Sequence, residues 1–142
     1  MHVVIDGYGG DSTLLSSEET VRVLLDRCPD EMGMTKITTP LVMRYEGAKP
    51  EDWGISGFVM IAESHISIHT FPRRGLLWVD AFSCKGFDPA PIVEELRASF
   101  RLREVQMQVL ERGLEYAAPV PSGAAAGTAT SGAQTGGRPA EL

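Results

Sequence analysis

Residues 63–72 read Glu63-Ser64-His65-Ile66-Ser67-Ile68-His69-Thr70-Phe71-Pro72. They alternate as a strand does, with Ile66 and Ile68 on one face and His65, Ser67 and His69 on the other. Polar side chains on a central strand are costly to bury without partners. A metal site is the first possibility, and geometry argues against it. Residues four apart on a strand lie about 13 Å apart, whereas metal–nitrogen bonds are about 2 Å. His65 and His69 therefore cannot share one ion, and no metal is expected. On period alone, hydrogen-bonded histidines on a half-solvated face remain an open alternative to a catalytic site.

Further strands flank this one. Ile55–Ala62 precedes it as an almost continuous apolar run, and Leu76–Ser83 follows after a turn at Pro72–Gly75. Lys36–Tyr45, rich in Thr, Val and Ile, reads as a strand and Glu46–Gly54 as a loop. His2–Gly7 reads as a short β-type run and Glu104–Leu110 as a final strand. Ser16 with Glu19 forms a capping box. Val21, Leu24, Leu25 and Cys28 follow at helical spacing, and Pro29 is expected to end that helix. Pro89 opens a second helix over Ala90–Arg101, with Ile92, Val93, Leu96 and Phe100 on its apolar face. The expected order is βαβββαβ. Strands joined by short turns are antiparallel. The fold class is therefore α/β (α+β): a two-layer sandwich with a mainly antiparallel sheet and two helices on one face. Its other face needs a cover, and a second copy of the chain is the simplest candidate.

The remaining composition bounds the function. The chain has 142 residues, 43% hydrophobic and 23% charged, with net charge −6, which fits one ordinary globular domain. Residues 1–63 hold eleven acids against five bases, and residues 64–142 eight of each. That balance repels phosphate backbones, so no nucleic-acid partner is expected. No apolar run reaches about 18 residues, so no membrane span is expected. The start lacks a signal-peptide pattern, and the expected compartment is cytoplasmic. Cys28 and Cys84 are too few for a disulfide framework and should be free thiols. From Ala117 onward, Ala, Gly, Ser, Thr and Pro dominate. The expected organisation is a domain over 1–116 and a disordered tail over 117–142. Ser64 lacks the G-x-S-x-G elbow of serine hydrolases. Gly7-Tyr8-Gly9-Gly10-Asp11 lacks the P-loop lysine and reads as a turn.

The stretch Glu63–Pro72 resembles the processing site of the small bacterial and archaeal S-adenosylmethionine decarboxylases, which are pyruvoyl-dependent. Gly54-Ile55-Ser56-Gly57 upstream and Val79-Asp80-Ala81-Phe82-Ser83-Cys84 downstream extend the likeness, which covers about residues 2–113. The resemblance implies a proenzyme that cuts itself between Glu63 and Ser64. Ser64 Oγ attacks the Glu63 carbonyl and turns the amide into an ester. β-Elimination then releases a chain ending at Glu63, and Ser64 becomes a pyruvoyl group. Ser56 resembles the hydroxyl on the oxyanion side, His69 the base in the elimination, and Cys84 the acid that protonates the product. The pyruvoyl carbonyl is an electron sink that takes a small-molecule amine substrate as a Schiff base. His65 is left as a structural or supporting residue. The family also implies active sites shared between the protomers of a homodimer.

Two positions depart from the family pattern. The family usually reads His-Thr-Trp-Pro-Glu where this chain has His69-Thr70-Phe71-Pro72-Arg73. Phe71 keeps the ring that the resemblance places beside adenine, and Trp53 is the candidate for a second ring. Arg73 replaces an acid that would accept hydrogen bonds from the ribose hydroxyls, and a guanidinium cannot accept. The leading reading is a decarboxylase of S-adenosylmethionine that supplies aminopropyl groups for spermidine. The alternatives are a pyruvoyl decarboxylase of ornithine or arginine and a non-catalytic paralogue or regulatory subunit.

Overall fold

A computed structural model describes residues 1–113 and Glu115. The boundary expected at residue 116 and the tail over 117–142 lie outside the described residues. The elements are β1 (His2–Tyr8), α1 (Ser12–Leu15), α2 (Glu18–Glu31), β2 (Leu41–Tyr45), β3 (Gly54–Ile61), β4 (Ser64–Phe71), β5 (Leu76–Ser83), α3 (Ala90–Phe100) and β6 (Glu104–Leu110). A 3-10 turn, Pro50–Asp52, precedes β3. The strands form one sheet in the order β2-β3-β4-β5-β1-β6, and each neighbouring pair is antiparallel. The expected fold class holds: a mainly antiparallel sheet whose helices share one face.

Four local expectations are corrected. The order βαβββαβ lacks the short helix α1 and is one strand short, even against the stretches named above: β2, β3, β4 and β5 all lie between α2 and α3. Lys36–Tyr45 is not one strand. Lys36 makes an isolated bridge to Ile61, and β2 begins only after Pro40, which has no N–H to give a ladder. The N-cap of α2 is Ser17, which accepts the Thr20 N–H at 3.0 Å. Ser16 instead closes α1, its own N–H bonding back to the Ser12 carbonyl at 3.1 Å. Pro29 does not end α2 but sits inside its last turn, where a missing N–H removes a single ladder bond.

The core lies between the helices and the inward face of the sheet. Leu24, Leu25, Ile92, Leu96 and Phe100 from the helices meet Ile5, Val59, Ile66, Ile68 and Val79 from the strands, all buried. Two glycines let β3 sit so close. A Cβ on Gly57 would meet Leu25 Cδ1 at 2.6 Å and Val21 Cγ1 at 2.8 Å, and one on Gly54 would overlap the Thr70 carbonyl oxygen. Only hydrogen fits at Gly54, because that neighbour is main chain. On the opposite face, Leu41, Met43, Tyr45, Phe58, Met60 and Trp78 are 38–59% exposed. That is a large apolar surface for one chain to leave in water.

Candidate active site

β4 is the spine of the site. Pairing of Ile61 with Ser64 closes the β3–β4 hairpin through Ala62 and Glu63, which sets the Glu63–Ser64 peptide at the hairpin end. Glu63 is buried, and three donors converge on it. Its carboxylate accepts the Thr35 N–H at 3.1 Å and Lys85 Nζ at 3.2 Å. Its carbonyl accepts the Cys84 N–H at 3.0 Å. The Thr35 N–H is the main reason that the carboxyl lies below its ordinary range; burial opposes this, and Lys85 adds to the lowering. Ser64 pairs across the sheet with Ser83, the last residue of β5, so Cys84 arrives next to the scissile peptide. Ser64 Oγ lies 3.0 Å from His65 Nδ1. The His65 ring is stacked on Phe58, with centroids 5.5 Å apart and planes at 22°, and meets the edge of Phe82 at 6.1 Å.

The other end of β4 holds a second group. His69 pairs in register with Ser56 on β3, and Ser56 Oγ lies 2.9 Å from His69 Nδ1. Both line a hollow of about 480 Å³ with Tyr45, Asp52 and Phe71. The register brings Ser64 to Cys84 and Ser56 to His69, but it keeps the pairs apart. Ser64 and His69 are five residues apart on one extended strand, or about 17 Å.

The three expected substrate-binding residues also divide. Phe71 lies with Ser56 and His69, its ring packed at 4.5 Å against Trp78. Trp53 and Arg73 line a neighbouring hollow of about 400 Å³ with Arg44 and Glu46. There the Arg44 guanidinium sits 4.1 Å above the Trp53 ring. The carboxylate in the Phe71 hollow is Asp52, held by Arg74 at 2.7 Å.

The two cysteines differ sharply. Cys28 is buried in the core, and its thiol is pushed up to about 12, by burial first and then by Glu31 and Glu95. It is a small hydrophobe with no thiolate to offer. Cys84 is partly exposed, and its main-chain N–H lies on the Glu63 carbonyl. Among the described residues, no group of three or more His, Cys, Asp or Glu side chains could hold a metal ion. No helix there is long and apolar enough to cross a membrane.

His65 and Lys85 are the contacts that the sequence reading missed. The alternation already placed His65 on the polar face, but only coordinates place its ring on the Ser64 hydroxyl. Nothing in the sequence pairs Lys85 with Glu63.

Comparison with known proteins places this arrangement. The family model for S-adenosylmethionine decarboxylase matches residues 1–113. The chain belongs to the S-adenosylmethionine decarboxylase family. The S-adenosylmethionine decarboxylase proenzyme of Archaeoglobus fulgidus is 32% identical over 115 residues, covering 79% of this chain and 96% of the relative. The proenzyme of Aquifex aeolicus is 33% identical over 117 residues, covering 80% of this chain and 81% of the relative. The crystal structure of the adenosylmethionine decarboxylase from Aquifex aeolicus superposes with a TM-score of 0.66. It is 31% identical and covers 80% of this chain and 89% of that one. Members of this family are self-processed from a serine and pyruvoyl-dependent. Ser64 at the hairpin end, with the Cys84 main chain on the carbonyl before it, fits that group.

Proposed function

We propose that this chain cuts itself between Glu63 and Ser64 and then decarboxylates S-adenosylmethionine, supplying aminopropyl groups for spermidine. The observation that carries the reading is the Glu63–Ser64 peptide at a hairpin end, its carbonyl on the Cys84 N–H, in a chain matched by the family along its described length. A carbonyl already holding an N–H is set to carry negative charge when Ser64 Oγ attacks. When present, the pyruvoyl group supplies an electron sink for the pair left behind as CO₂ departs. Cys84, the thiol beside that position, is the proton donor to the product carbon. Phe71 and the Asp52 carboxylate offer a ring face and a hydrogen-bond acceptor in one hollow, which suits a nucleoside.

The roles of Ser64 and His69 require two chains. About 17 Å separates them on one strand, too far for His69 to take a proton at its own Ser64. A homodimer packed through the open sheet faces would bring Ser56 and His69 of one copy to Ser64 and Cys84 of the other. It would also bury Phe58, Met60 and Trp78. Symmetry then gives two such sites per dimer.

Intact-mass measurement of the purified protein tests the reading. The expected result is two polypeptides, residues 1–63 and 64–142, the second with a blocked N-terminus, while Ser64→Ala stays whole. A single full-length wild-type species, stable over days, would sink it.

A further inference from the structure

Ester formation needs three things at one place: a nucleophile on the carbonyl, a base for its proton, and a donor for the oxyanion. The nucleophile and its carbonyl are supplied by sequence, since a serine hydroxyl is always near the carbonyl that precedes it. The base and the donor have to be built. The Cys84 N–H at 3.0 Å from the Glu63 oxygen is within the range of an oxyanion donor. On the other side, His65 Nδ1 is 3.0 Å from Ser64 Oγ, within reach of a general base. His69, the other imidazole of this strand, is bound to Ser56 at the far end.

We infer that His65 is the general base that activates Ser64 for ester formation, so self-cleavage uses two histidines in sequence. This rests on the self-cleavage reading above. With its proton on Nε2, the His65 ring offers Nδ1 to the hydroxyl. Nδ1 takes the Ser64 proton, Oγ bonds to the Glu63 carbonyl carbon, and the oxygen charge falls on the Cys84 N–H. The C–N bond then breaks, and the Ser64 nitrogen receives the proton back from His65. No atom or charge is gained, so the shift needs no cofactor. The later elimination removes the Ser64 Cα proton and belongs to His69.

The setting of His65 suits this role. Its ring is held between Phe58 on one face and Phe82 at its edge, so Nδ1 is aimed before the reaction rather than during it. The Glu63 side chain is held by Thr35 and Lys85, which keeps the scissile carbonyl from turning away. The ring nitrogen that this packing turns toward the nucleophile is Nδ1, 3.0 Å from Ser64 Oγ.

The test follows the full chain during cell-free synthesis, scoring cleavage on a gel and treating samples with hydroxylamine, which splits esters but not ordinary amides. His65→Phe keeps the aromatic packing and loses the nitrogen. His65→Gln keeps an acceptor for the hydroxyl but cannot carry its proton. Both are expected to cut about a hundredfold more slowly than wild type, with no hydroxylamine-sensitive chain accumulating. His69→Ala is expected to accumulate a chain that hydroxylamine splits at Ser64. If either His65 variant cuts within threefold of wild type, or builds up a hydroxylamine-sensitive chain, the assignment fails. Wild type that never cuts, together with a hydroxylamine-resistant His69→Ala, overturns the self-cleavage reading and this assignment with it.

Discussion

At its first residue β4 holds Ser64 beside Cys84 and His65, and five residues later it holds His69 against Ser56. At the hairpin end much of the positioning is done by main chain: the N–H groups of Thr35 and Cys84 fix both ends of Glu63. At the far end, side chains do the work and face a hollow of about 480 Å³. Main-chain donors cannot swing away, so the hairpin end suits chemistry at one fixed position, first on the chain's own peptide and then on the group formed from Ser64. The far end leaves room for a ligand that must come and go. A strand holds its two ends about 17 Å apart, and that rigidity is why the proposed chemistry needs a second copy.

His69→Ala breaks the comparison most forcefully. Ester formation at the hairpin end should proceed, while release of the 1–63 fragment should be lost altogether. A gel showing normal fragments from this variant would remove His69 from self-cleavage. Arg73→Glu is a milder probe. Arg73 lines the hollow with Arg44 and Trp53, not the one with Ser56, His69 and Phe71. Exchanging an exposed charge in that neighbouring hollow should leave kcat/KM for S-adenosylmethionine within about threefold, or raise it by lowering the positive charge around a cationic substrate. Steady-state assays would contradict this with a tenfold loss. A hundredfold loss on ornithine or arginine, with those as the better substrates, would instead mark Arg73 as a carboxylate clamp.

Much of the sheet was legible because its signal is local. The alternation of Ile66 and Ile68 against His65, Ser67 and His69 gave the faces of β4, and the helices announced themselves by apolar spacing. The pairing of β1 between β5 and β6 was not legible, because contacts between residues about 80 and 100 positions apart leave no short-range pattern. The break at Pro40 was visible but outweighed by the β-branched run around it. For the site, Ser64, His69 and Cys84 stood out through a long motif. Their division into Ser64–Cys84 and Ser56–His69 depends on strand register, which one residue of slip would change. Arg73 was read with Phe71 because the family motif sets both at the substrate, with only Pro72 between them, yet a turn sends the two side chains to different hollows.

The central claim is that each site takes Ser64 from one copy and His69 from the other, and complementation tests it most directly. Ser64→Ala and His69→Ala chains are each expected to be inactive alone. Co-expressed, they form mixed dimers with one intact pair, Ser64 from the His69→Ala chain and His69 from the Ser64→Ala chain. Random pairing makes half the dimers mixed with one good site in each, so fragments and CO₂ release should return to about a quarter of the wild-type level. Two inactive chains that stay inactive together, although mixed dimers are isolated by differential tags, would contradict the account.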